Sequence, residues 1–334
     1  MATNFDNPEL FLWVAEQAAG RYPYDRIACR LLAFSENATY LAYDPVTDEK
    51  LFVLRVGRPG YHTLEEYESE ISWLRQINDY TPLKVANPVP ARDGSFIQQV
   101  ADPHGDTVYF CVATEFLTGV TLEHDNDPAA APSHFETLGE TTAYLHRQTE
   151  IWNGAKTLVR PHWDVGTMIG PHAIWGDWRA YPELTTETQT PIERCCQIIG
   201  RRLDRYGKTP QNYGIIHADL RDTNIIVEGD VIKVIDFDDF GFGWHLHDLA
   251  GALSFIEERD DVPDLVNAWL DGYRRVMPIT DTDFVEIDTF ILQRRLQLMA
   301  WLASHQDSTP VAGYMEGFLE GTMSLVERYL RVFG

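Results

Sequence analysis

The chain is predicted to fold as α+β in two parts, a small β-rich N-terminal lobe and a larger, mainly helical C-terminal lobe. Three observations predict this. Short strand-like runs crowd the first third around one amphipathic helix, and helical patterns dominate from Ser133 onward. A single β-branched hairpin interrupts the helical part.

The elements follow in order. Asn7–Ala19 reads as an amphipathic helix, with Leu10, Phe11, Val14 and Ala18 at helical spacing. Strand-like runs follow at Cys29–Phe34, Tyr40–Tyr43 and Leu51–Val56. Thr63–Ile77 reads as a helix, because Tyr67, Ile71, Leu74 and Ile77 share one face. Two more strands are expected at Ser95–Val100 and Thr107–Glu115. Residues 1–115 thus form the first lobe, 116–119 a hinge, and 120–334 the second lobe.

At 334 residues the chain can bury two real cores. The N-terminus MATNFDNPEL lacks a basic n-region and an apolar h-region, so no secretory signal is visible. No run approaches the ~18 apolar residues of a membrane span. Four cysteines without a CxxC pair suggest neither zinc nor disulfides, and a cytoplasmic protein is expected. The formal charge of −24 argues against nucleic acid or anionic membrane as partners. It suits a cationic substrate, and equally suits plain solubility or an acidic proteome.

The chemistry concentrates in Ile215–Asp239, IIHADLRDTNIIVEGDVIKVIDFDD. His217-x-Asp219 is followed five residues on by Asn224. Ile225–Val227 and Val231–Ile235, separated by Glu228-Gly229-Asp230, carry a hairpin signature and deliver Asp236 in Asp-Phe-Asp. Such a hairpin brings Asn224 and Asp236 to one mouth. Moving a phosphoryl group needs a base to orient a hydroxyl, and oxygen ligands to hold Mg²⁺ on the phosphates. Asp219 fits the first need, and Asn224 with Asp236 fits the second, since Mg²⁺ takes few protein ligands, all oxygen. One Asp in a turn is ordinarily just solvated; the combination carries the reading.

With these residues the chain resembles the aminoglycoside phosphotransferase/choline kinase superfamily, closest to the branch of type II homoserine kinases and stress-response kinase A proteins. The resemblance runs from about Ala33 to Leu253 and is most specific in the catalytic segment. It implies a bilobal protein-kinase-like fold whose first lobe binds the nucleotide, with Asp219 as catalytic base and Asn224 and Asp236 as metal ligands. It also implies that Asp248, in His-Asp-Leu-Ala, starts a helix and braces the catalytic loop; a simple N-cap is the plainer reading.

Further roles follow from the same resemblance. Arg55, in Phe-Val-Leu-Arg-Val, stands where kinases place the lysine that grips the α- and β-phosphates, and Glu70 is its fitting partner. A guanidinium is not equivalent to an ammonium in that place. The glycine-free loop Ser35–Thr39 should lie over the nucleotide, with Ser35 and Asn37 as donors or as ordinary turn residues. Backbone groups of Glu115–Leu117 should meet the adenine. Arg221 could neutralise transition-state charge, or clamp Asp219 or Asp222. Asp238 could assist the metal through water, and Asp239 reads as structural.

Three other features are dismissed. Gly207-Lys208-Thr209 has Arg at position 202, where a phosphate loop needs glycine, and Pro210 after it. Gly241-Phe-Gly243 lacks a third glycine. His245 and His247 have no further candidate metal ligands near them in sequence.

Between Asp236 and Asp248 lie only eleven residues and no Ala-Pro-Glu follows, which favours a small-molecule acceptor over a peptide. The segment Arg160–Tyr181, with Trp163, Trp175, Trp178, Asp164 and Asp177, could wall an ammonium by cation–π contact, although tryptophans in such segments more often anchor them to the core. The run Glu257, Glu258, Asp260, Asp261 reads as a solvated helix end, or as a face of the cleft. The expected activity is ATP·Mg-dependent phosphorylation of a hydroxyl on a small, amine-bearing molecule such as an aminoglycoside, amino alcohol or homoserine-like compound, with GTP as the other donor to consider. The alternatives are a protein Ser/Thr kinase of the stress-response kinase A type and, further off, a nucleotide-binding pseudokinase.

Overall fold

The computed structural model describes residues 7–34, 37–122, 131–229, 231–306 and 309–334. The chain divides into two compact units. The first comprises the residues up to Gly119 with Thr157–Val159 and Lys233–Ile235; the second comprises Val120–Lys156, Arg160–Ile232 and Asp236–Gly334. The first is β-rich and the second mainly helical, which is the α+β arrangement expected.

The first unit holds α1 (Pro8–Ala19), β1 (Ala28–Phe34), β2 (Ala38–Tyr43), β3 (Lys50–Val56), α2 (Leu64–Tyr80), β4 (Lys84–Val85), β5 (Ile97–Ala101) and β6 (Val108–Thr114). Its antiparallel sheet runs β1-β2-β3-β6-β5. One sheet face is covered by α1, whose Phe11, Val14, Ala15 and Ala18 are buried against Phe52, Leu54, Val56 and Tyr109. Because side chains alternate along a strand, Val53 and Arg55 of β3 point to the other face. On that face Tyr67 and Ile71 of α2 pack against Val112, the cross-strand partner of Arg55. A capping box starts α2: the Thr63 hydroxyl accepts the Glu66 N–H, and the Glu66 carboxylate accepts the Thr63 N–H at 2.7 Å. This fixes the phase of α2 and turns Glu70 inward, where it is buried.

The second unit begins with β7 (Val120–Thr121) and α3 (Ala131–Ile151), then β8 (His162–Trp163), α4 (Val165–Met168), α5 (Thr186–Tyr206) and β9 (Tyr213–Ile216). The hairpin β10 (Ile225–Glu228) and β11 (Val231–Val234) follows, turning through Gly229 at φ +60°. Its first strand pairs antiparallel with β7, Ile226 opposite Thr121. Lys233–Val234, which belong to the first unit, pair in parallel with β4. The remaining elements are β12 (Gly241–Trp244), α6 (Leu246–Ala252), α7 (Val262–Tyr273), α8 (Asp281–Ser304), α9 (Thr309–Met315) and α10 (Phe318–Phe333).

Buried residues surround α8 from Glu286 to Ala303, among them Gln293, Arg294, Arg295 and Gln297. Polar groups in such a helix need partners inside the protein. The helix pair α3–α7 packs with its backbones in contact at two glycines. A Cβ on Gly139 would run into the Trp269 carbonyl, and one on Gly272 into that of Glu136.

The sequence reading placed only the catalytic hairpin among the helices. The structure adds a three-stranded sheet, β8-β12-β9, whose centre is the dismissed Gly241-Phe-Gly-Trp run. Glycine weakens strands, so this run carries no alternation to read. It is required here because a Cβ at 241 would meet the Pro161 carbonyl, and one at 243 the Ile216 side chain.

Gly272→Ala is expected to cost about 1–3 kcal/mol through overpacking at the α3–α7 contact. The check is a lower urea midpoint with an unchanged m-value.

Candidate active site

The catalytic segment is built outward from one buried carboxylate. Asp248, in the first turn of α6, has no exposed surface. Its Oδ2 accepts the His217 N–H at 2.9 Å, and its Oδ1 accepts the Ala218 N–H at 2.8 Å. His146 Nε2 lies 3.0 Å from Oδ2, while His146 Nδ1 lies 2.9 Å from the Tyr273 hydroxyl. The His146 ring stacks on His245 at 4.3 Å. The Ala218 carbonyl is held too, by His247 Nε2 at 3.3 Å and Arg294 at 3.3 Å. These bonds grip the peptide groups of a residue at φ +70°, a left-handed conformation that alanine adopts only when its surroundings impose it.

Asp219 follows directly. Its Oδ2 accepts Asn224 Nδ2 at 2.9 Å, and its Oδ1 accepts Arg294 Nη2 at 2.5 Å. Asn224 Nδ2 also donates to the Asp219 carbonyl at 3.0 Å. Both partners of that nitrogen are pure acceptors, so the amide orientation is settled and the Asn224 oxygen faces the other way. Asp236 stands two residues past β11, exposed and at φ +60°. Its neighbour Phe237 packs its ring on His217 at 4.6 Å. The Asn224 oxygen and the Asp236 carboxylate are two hard oxygen donors, a set that suits Mg²⁺ completed by phosphates and water. Among the described residues no group of three His, Cys, Asp or Glu could hold a metal by itself.

The loop after Asp236 is fixed by its carbonyls. Buried Arg160 donates to the carbonyls of Asp238 and Phe240, and Trp163 Nε1 donates to that of Asp239 at 2.7 Å. Asp238 is itself buried. Arg160 and Trp163 belong to the segment expected to wall the substrate or to anchor itself to the core. The rest of that segment fits the anchor. Trp163 and Trp178 are buried, Asp164 caps α4, and Asp177 caps the turn at Trp178. Half-buried Trp175 places its ring 4.8 Å from the Arg294 guanidinium. The acidic run 257–261 departs from a solvated helix end at Glu257, which is fully buried and bonds Arg295 at 2.7 Å. The reason is that Arg295, equally buried on α8, needs a counter-charge.

Arg221 donates to the Tyr314 hydroxyl at 3.1 Å, and its guanidinium lies 5.2 Å from the Phe255 ring. The arginine clamped on Asp219 is Arg294, which sequence reasoning missed. It sits 75 residues away, with nothing local to mark it.

In the first unit, Arg55 Nη2 meets Glu70 Oε2 at 2.5 Å, the pair that the family resemblance implies. Asn37 Oδ1 accepts the Arg58 N–H at 3.2 Å, as a turn brace does. Ser35 lies outside the described residues. The Glu115 N–H is taken by the Asn87 carbonyl at 2.8 Å. Beside it, Lys50, Leu51, Glu115, Phe116 and Thr118 line an open depression of about 480 Å³.

The sequence profile of the phosphotransferase enzyme family matches residues 30–281. The chain belongs to that family. This phosphotransferase is 34% identical to the microcompartment-associated aminopropanol kinase, whose structure superposes with a TM-score of 0.86 over 97% of this chain and 98% of that one. Amicoumacin kinase of Bacillus subtilis (strain 168) is 25% identical over 238 residues, which span 71% of this chain and 66% of the relative, just under two thirds of it. An amicoumacin kinase structure in complex with AMP-PNP, Ca²⁺ and Ami shares the fold, with a TM-score of 0.72 and 19% identity over 92% of each chain.

Burial lowers the pKa of His247 to about 4, and the nearby Arg294 charge adds to this. It also lowers that of His245 well below the ordinary value, with His146 contributing. For Asp248, burial alone would raise the pKa; the His146 hydrogen bond and its neighbours outweigh it and hold the group at about 2. Between pH 6.5 and about 4 the unfolded chain binds more protons at His247, so stability falls as pH drops through that window. The Asp248 contribution is complete above the ordinary carboxylate value of 3.8 and is lost as pH falls towards about 2. Asp248→Ala should therefore cost about 3–5 kcal/mol at neutral pH. Urea midpoints across pH should show the gap from wild type narrowing between about pH 4 and 2.

Proposed function

We propose that this phosphotransferase is an ATP·Mg-dependent kinase acting on the hydroxyl of a small amino alcohol. The observation that carries the reading is Asp219 fixed through both oxygens, with Asn224 turning its own oxygen away from it and an exposed Asp236 following the hairpin. The likeness to an aminopropanol kinase over nearly the whole chain supports an amino alcohol as acceptor.

Asp219 takes the proton of the acceptor hydroxyl as its oxygen attacks the γ-phosphorus. The bond from that phosphorus to the β–γ bridging oxygen breaks, and ADP leaves. Asn224 and Asp236 would hold the Mg²⁺, with Asp238 assisting through water. When bound there, the cation would supply charge neutralisation on the phosphates. Arg55, steadied by Glu70, binds the α- and β-phosphates. The Glu115 carbonyl and the Leu117 backbone receive the adenine. Arg221, held by the Tyr314 hydroxyl and facing Phe255, contacts the transferred phosphoryl group.

The formal charge of −24 supports a cationic acceptor and disfavours nucleic acid and anionic membranes. Four free cysteines favour a reducing cytoplasm. No described helix is long and apolar enough to cross a membrane. A protein acceptor finds no support among the relatives.

Asp219→Asn and Asp236→Ala should each lower turnover by about 10³-fold or more while the chain stays folded. Arg55→Ala should mainly raise the KM for ATP, by about tenfold or more. The measurement is ADP release with ATP or GTP against amino alcohols, aminoglycosides, homoserine, choline and a generic protein. Near-wild-type rates in the Asp219 or Asp236 variant would contradict the assignment.

A further inference from the structure

We infer that Arg294 is the positioning residue of the catalytic base, which rests on Asp219 being that base. The carboxylate of Asp219 is an acceptor with about four lone-pair sites on two oxygens. One oxygen takes Asn224 and the other takes Arg294. Two donors at opposite ends of one planar group stop it turning about its last torsion. What remains for the acceptor hydroxyl is a fixed pair of lone-pair directions.

Arg294 can impose this because it is itself immobilised. Its side chain has no exposed surface. Nε donates to the Ser254 hydroxyl at 3.0 Å, and Nη1 donates to Gln297 Oε1 at 3.1 Å and to the Ala218 carbonyl at 3.3 Å. The Trp175 ring lies 4.8 Å from the guanidinium. The helix α8, the turn after α6, the catalytic loop and the Trp175 segment therefore converge on one cation. Ala218 ties the arrangement together. Its N–H is set by Asp248 and its carbonyl by Arg294, so the peptide before the base and the carboxylate of the base share one support.

A base works only within about 2.6–3.2 Å of the proton it takes. A misplacement of about 1 Å can cost about 10²-fold in rate. The role of Arg294 is thus to keep Asp219 in reach of the hydroxyl, without touching the nucleotide.

The test is a double-mutant cycle on the full chain with Mg·ATP and an amino alcohol. Arg294→Gln should lower kcat by about 10²-fold, leaving the KM for ATP and the thermal shift produced by Mg·ADP unchanged. Arg294→Lys should recover about tenfold of that loss, since an ammonium can still reach the carboxylate. In an Asp219→Asn background, adding Arg294→Gln should change the residual rate by less than about twofold, because residues acting as a unit are not additive. Additive losses, an undiminished kcat in Arg294→Gln, or a raised KM for ATP at constant kcat would each overturn the proposal. Should Arg294→Gln not fold, the same cycle with Arg294→Lys decides by the same criterion. An Asp219→Asn enzyme that keeps its activity overturns the base assignment itself, and is thereby told apart from a failure confined to Arg294.

Discussion

Everything in the catalytic segment depends on the capture of two adjacent backbone N–H groups by the buried carboxylate of Asp248. A charged acceptor with no exposed surface is costly unless its lone pairs are filled, and His217, Ala218 and His146 fill them. Those bonds hold Ala218 in a left-handed conformation, and Asp219, the proposed base, is the next residue. The same short helix supplies His247 to the Ala218 carbonyl. A displaced Asp248 would release the turn, the direction of Asp219, and with it the partner of Asn224.

A second dependence runs through α8, which places two adjacent guanidiniums in the interior. Arg294 meets Asp219, while Arg295 meets Glu257, Glu258, Thr322 and the Phe318 carbonyl. Each buried cation has found an acid, but the acids differ in kind. Glu257 is wholly structural, whereas Asp219 keeps 18% of its side chain exposed and is the proposed base. The base is thus also a counter-ion of the core, which couples stability to chemistry at one residue.

Much of this was legible in the sequence wherever period and spacing are local. The kinase resemblance of the third strand and the helix after it was enough to pair Arg55 with Glu70. The turn chemistry of Glu228-Gly229-Asp230 marked the hairpin. What escaped is what long-range packing decides. Arg294 looks like any charge on a helix until α8 proves buried on every side. Glu257 looks solvated until Arg295 claims it. Arg160 and Trp163 work through carbonyls, which have no identity in a sequence. The Gly241–Trp244 strand hides because tight packing, rather than alternation, selects its glycines.

The central claim is that this phosphotransferase moves the γ-phosphoryl group of ATP onto a hydroxyl of a small amino alcohol. Phosphorus NMR of the products formed from Mg·ATP and 1-amino-2-propanol tests it most directly. The account predicts a phosphate monoester signal growing in step with ADP. Inorganic phosphate alone, a phosphoramidate, or ATP left intact across amino alcohols would contradict it.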